Sequence, residues 1–120
     1  MRFLNSKLKI ENTILQNIAK KYGTPAYCYS YKQLKENIND FKKNFKSVSP
    51  LICFAIKSNT NLNIIKEIKK FGLGADVVSM GELMLALKAG ISPRKIVFSG
   101  VGKTSNCLLY TSPSPRDSSP

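Results

Sequence analysis

The chain has 120 residues, a formal charge of +12, three cysteines and no histidine. That length suffices for one small domain but not for a closed (β/α)8 barrel, which needs roughly 250 residues. Without histidine, C-x-x-C spacing or a carboxylate cluster no zinc site is expected, and lysines spread over helical segments without interleaved aromatics argue against nucleic-acid binding.

The N-terminus has no signal-peptide apolar core, and no apolar run is long enough to cross a bilayer. Residues 1–22 read as a helical lead-in, because Ile10, Ile14 and Ile18 fall on one helical face ahead of Gly23. Pro25 to Ser30 alternates as a strand would. Ser30 with Gln33 then has capping-box spacing, and Leu34, Ile38, Phe41 and Phe45 line one face of the next helix.

Leu51 to Ile56 reads as a buried strand, and a helix starts near Asn61 with Leu62, Ile65 and Ile68 facing inward. Gly72 and Gly74 break that helix. Ala75 to Val78 is a third strand. Ser79 and Glu82 repeat the capping-box spacing and open a helix with Leu83, Met84 and Leu87, which Gly90 stops. Pro93 lies in a turn, and Lys95 to Ser99 forms the fourth strand. Strands that alternate with helices imply βαβ units and a parallel sheet. In barrels of this type the chemistry sits where strands end, and Lys57, Ser79 and Ser99 all fall there.

Lys57 closes the apolar run Leu51-Ile52-Cys53-Phe54-Ala55-Ile56. Lysine is seldom buried without a partner. It either marks the solvent end of the strand or supplies an amine held among apolar walls to attack a carbonyl. Cys28 and Cys53 lie in apolar strands, where a thiol behaves as a small hydrophobe.

The segment Phe54-Ala55-Ile56-Lys57-Ser58-Asn59 resembles the lysine motif of the pyridoxal-phosphate decarboxylases built on an alanine-racemase-like barrel. Tyr22-Gly23-Thr24-Pro25-Ala26-Tyr27 resembles that family's opening strand. Gly72 to Leu83 and Ile96 to Thr104 are similar to the bacterial diaminopimelate decarboxylases within it. The likeness runs from about Asn17 to about Thr104, in the family's order.

That resemblance implies an α/β fold, a partial (β/α)8 TIM-type barrel over residues 23–106. The chain is then the front portion of an enzyme. It implies that Lys57 holds pyridoxal 5'-phosphate and is the catalytic lysine, with Asp76 and Glu82 as acidic residues near the cofactor. Glu82 can equally be a helix cap, Asp76 a charge near a strand end, and Asn59 a loop-shaping residue. The implied reaction is decarboxylation of meso-diaminopimelate to L-lysine in a cytoplasmic homodimer, with a small amino acid as substrate and neither nucleic acid nor membrane as partner. An ornithine-type decarboxylase and a non-catalytic pyridoxal-phosphate carrier are the alternatives. The family's stacking histidine, phosphate-binding glycine loop and substrate arginines lie further along such chains, so the 120-residue polypeptide is expected to be inactive by itself.

Two segments invite other readings. Ser99 to Thr104 mimics a phosphate loop, but the first glycine of that motif would fall on Val97. Residues 107–120, including Cys107, are Ser/Pro-rich without apolar period, resemble a translated sequencing adaptor, and read as a non-native or disordered tail.

Overall fold

A computed structural model of the chain describes residues 1–100, which fall into two compact units, Met1–Val48 and a second beginning at Ser49. Lys103, Thr104 and the segment 107–120 lie outside the described residues.

In the first unit, β1 (Arg2–Leu4), β2 (Lys7–Ile10) and β3 (Thr13–Ile14) form an antiparallel sheet in the order β1-β2-β3. Asn5 and Ser6 take φ of 51° and 63° and close the first hairpin, the mirror-image turn that suits the twist of paired strands. The helical lead-in expected over 1–22 is therefore confined to α1 (Leu15–Tyr22), which packs on β2 and β3. Alternation in Lys7-Leu8-Lys9-Ile10, flanked by turn residues, outweighs the four-residue isoleucine spacing.

Pro25 to Ser30, expected as a strand, pairs with no strand among the described residues, and Cys28 within it is exposed. A strand exists only by its ladder, and this segment has none among the described residues. The helix α2 (Tyr31–Asn44) follows the expected span, with Ser30 Oγ accepting the Gln33 N–H at 3.1 Å. Ile38 is buried, whereas Phe41 and Phe45 are exposed and pack on each other with ring centroids 5.0 Å apart.

The second unit has the alternation read from the sequence: β4 (Cys53–Ala55), α3 (Leu62–Lys70), β5 (Gly74–Val77), α4 (Met80–Lys88) and β6 (Ile96–Phe98). The sheet is parallel in the order β4-β5-β6, with Ala55 opposite Asp76 and Asp76 opposite Val97. Side chains alternate across it. Ala75, Val77, Ile96 and Phe98 join Ile56, Ile65 and Leu83 in one buried cluster on the helix side, with Phe54 packed against it. Each fully buried Val, Leu, Ile or Phe side chain among them is worth about 1.5–3 kcal/mol. By the same alternation Cys53, Ala55, Gly74, Asp76 and Val97 occupy the opposite face. This is a small α/β piece with a parallel sheet.

Candidate active site

Lys57 sits in a single 3-10 turn, Ile56–Ser58, at the C-terminal end of β4. The turn is pinned from several directions. Ile56 is fully buried, Ser58 Oγ donates to the Ala55 carbonyl at 2.7 Å, and the Asn59 N–H reaches the Ile56 carbonyl at 3.0 Å. Asn59 shapes the approach to α3, its Oδ1 accepting the Asn61 N–H at 2.9 Å, and Asn61 in turn caps that helix. Lys57 itself is exposed, and its ammonium makes no hydrogen bond or ion pair among the described residues. The backbone is fixed and the amine is left open, as a nucleophile requires.

The 3-10 turn packs against β5. There Asp76, half-buried, lies in register with Ala55, two residues before Lys57. Its Oδ1 accepts a hydrogen bond from the hydroxyl of Ser99, the residue immediately after β6. The Ser99 N–H also donates to the Val77 carbonyl at 2.9 Å, extending the β5–β6 pairing past the strand end. Cys53 lies on the same face. Its Sγ approaches the Lys95 carbonyl at 3.9 Å, and its thiol is pushed above the ordinary value by burial first and by the charge of Asp76 second.

Glu82 is committed locally. Its N–H donates to Ser79 Oγ at 3.2 Å, and its Oε1 accepts the Val78 N–H at 3.2 Å. This reciprocal cap fixes the path from β5 into α4. The structure thus groups Asp76, Ser99 and Cys53 on one face, sets the Lys57 turn beside their strand, and uses Glu82 where that strand becomes a helix.

Sequence reasoning missed the tie between Cys53 and Asp76, which period-two alternation across paired strands could have revealed. It also missed Glu11, whose Oε1 accepts the Lys32 N–H at 2.7 Å and the Ser30 hydroxyl at 3.3 Å at the start of α2. Among the described residues, no group of three or more His, Cys, Asp or Glu could hold a metal ion, and no helix is long and apolar enough to cross a membrane.

Comparison with known proteins bears on this geometry. The chain is 44% identical over 104 residues to a diaminopimelate decarboxylase of Aquifex aeolicus, covering 87% of this chain and 24% of that protein. It is 47% identical over 89 residues to the Helicobacter pylori protein of the same name, covering 74% and 22% respectively. A solved structure of diaminopimelate decarboxylase from M. jannaschii in complex with L-lysine matches with a TM-score of 0.81 and 35% identity, over 88% of this chain and 26% of that one. The chain therefore spans about a quarter of the length of the curated relatives it matches. Residues 31–114, more than half of the chain, match the family described as pyridoxal-dependent decarboxylase, pyridoxal binding domain, and the chain belongs to that family.

Proposed function

We propose that this chain supplies the cofactor-binding front portion of a (β/α)8-barrel decarboxylase that converts meso-diaminopimelate to L-lysine. The names of its relatives support the reaction, and the L-lysine bound to the M. jannaschii structure supports an amino acid of that shape as ligand. The parallel β4-β5-β6 sheet with interleaved helices supports the barrel.

The residues present fit pyridoxal 5'-phosphate. Lys57 offers an exposed amine at a strand end, and the small, only partly buried Ala55 lies opposite Asp76 on the neighbouring strand. When bound, the cofactor supplies an electron sink for the pair left behind as the substrate carboxylate departs. Lys57 would hold it through Nζ and return that amine after each turnover. Asp76 would place a negative charge on the same face. Glu82 would add its charge from the start of α4, with Oε1 already given to the Val78 N–H. In the net reaction one carbon–carboxylate bond breaks, carbon dioxide leaves, and a proton takes its place.

Cys28 and Cys53 are free thiols, which suits a cytoplasmic enzyme, and the family resemblance supports a homodimer. The observation that carries the proposal is the open Lys57 amine on a fully pinned turn. Borohydride reduction of the full-length protein with pyridoxal phosphate should attach the cofactor to Lys57, and the protein should release carbon dioxide from meso-diaminopimelate. No adduct at Lys57 would overturn the cofactor role. Preference for ornithine would move the substrate to the ornithine type, and an adduct without any decarboxylation would make the protein a carrier.

A further inference from the structure

Ser99 is exposed just past β6, where its N–H already extends the ladder to the Val77 carbonyl and leaves the hydroxyl outside that ladder. Yet that hydroxyl donates to Asp76 Oδ1, linking the end of β6 to the middle of β5. Among the described residues this is the one side-chain hydrogen bond Asp76 makes. One carboxylate oxygen is thereby fixed, on the face that also carries Ala55, two residues before Lys57. A half-buried carboxylate free to rotate would lose much of its electrostatic value to a reacting group, because charge helps only where it is held in place.

We propose that Ser99 is a positioning residue that anchors the Asp76 carboxylate on the open face of the β4-β5-β6 sheet, holding its second oxygen toward the ground occupied by the Lys57 amine and its cofactor. This rests on the pyridoxal reading of Lys57. Threonine would preserve the device, since it keeps the hydroxyl, whereas alanine would release the carboxylate.

Cys53 provides a reporter that needs no cofactor. Its thiol feels the charge of Asp76 after the effect of burial, so its reactivity senses where that carboxylate sits. The other groups near it do not compete. The Lys95 ammonium is turned to the Gly72 carbonyl at 3.3 Å, and Lys95 faces Cys53 with its carbonyl alone.

The test measures alkylation of Cys53 against pH, resolved by peptide mass spectrometry, in the full-length cofactor-free protein and its Ser99→Ala, Ser99→Thr and Asp76→Asn variants. Ser99→Ala should move the midpoint downward, part of the way to that of Asp76→Asn, and Ser99→Thr should restore it. In the cofactor-loaded protein, Ser99→Ala should lower turnover roughly tenfold at little changed KM, and shift the pH profile of the cofactor's visible absorbance. A midpoint in Ser99→Ala equal to that of the parent would overturn the inference. So would faster alkylation at every pH with a lowered melting temperature and no rescue by threonine, which marks a merely structural role. If the midpoint moves but no adduct forms at Lys57, the pyridoxal reading falls and the functional assignment of Ser99 falls with it, while its hold on Asp76 stands.

Discussion

Gly74 lies directly against the Lys95 carbonyl: a Cβ built on it would overlap that oxygen and come within 3.0 Å of Cys53 Sγ. The obstacle is backbone, which cannot swing aside as a flexible side chain would. Gly74→Ala must therefore push β5 from β6 and distort the face that carries Asp76. A loss of about 2–3 kcal/mol is expected, measured by denaturant unfolding of the full-length protein. An unchanged midpoint would show that the strands can separate freely.

Lys57 contributes almost nothing to packing, since it is exposed and unpaired among the described residues. Lys57→Ala should alter stability by less than about 0.5 kcal/mol. Decarboxylation and the borohydride-reducible adduct should both disappear. Thermal unfolding alongside mass spectrometry separates these effects, and an adduct that persists elsewhere would displace Lys57 from its role.

Glu82 separates cap from charge. Glu82→Gln keeps an acceptor for the Val78 N–H, so the melting temperature should hold while cofactor affinity drops several-fold. Glu82→Ala also loses the cap and should cost about 1 kcal/mol. Cofactor titration beside thermal melts checks both, and full affinity in the glutamine variant would reduce Glu82 to a cap alone.

Cys53 should titrate in a direction set by its neighbour. Its proton is held more tightly in the folded state than at the ordinary value of 9.0, by burial and then by Asp76. The native state therefore binds more protons than the unfolded chain just above that pH, and stability should fall as pH rises through it. Asp76→Asn removes one of the two causes, so alkylation of Cys53 should be faster at any given pH near 8 than in the parent. Slower alkylation would contradict the assigned sign.

Glu11 and Ser30 serve one helix start, since Glu11 Oε1 accepts from both the Ser30 hydroxyl and the Lys32 N–H while Ser30 Oγ accepts the Gln33 N–H. Each alanine substitution should cost about 1 kcal/mol. Because they share partners, the double variant should cost less than the two losses added. Strict additivity in a double-mutant cycle would show that the two caps act independently.

Much of the second unit was legible because its signals are local. Ser79 with Glu82, Asn61 before Leu62 and Gly90 after Lys88 mark helix ends within three or four residues, and the structure places α3 and α4 accordingly. The strand ends at which Lys57, Ser79 and Ser99 fall came from the same alternation, whereas Asp76, inside β5, was reached only through the family resemblance. The features that escaped notice depend on partners distant in sequence. Pro25 to Ser30 has strand-like composition but no ladder among the described residues, and Glu11 reaches a helix start 21 residues away. The N-terminal hairpin was missed for another reason: Ile10, Ile14 and Ile18 satisfy a helical period, while the positive φ of Asn5 and Ser6 leaves only a weak trace in composition.

Alternation along β5 has an evolutionary corollary. Ala75 and Val77 answer to the hydrophobic interior, whereas Asp76 between them, in the function proposed above, answers to reactivity. Drift at the first pair would be felt as altered melting and expression, while drift at the middle position would leave a well-folded protein of changed chemistry. A substrate specialist could thus diverge from its ancestors by revising every second residue of a strand, without renegotiating the interior that supports it.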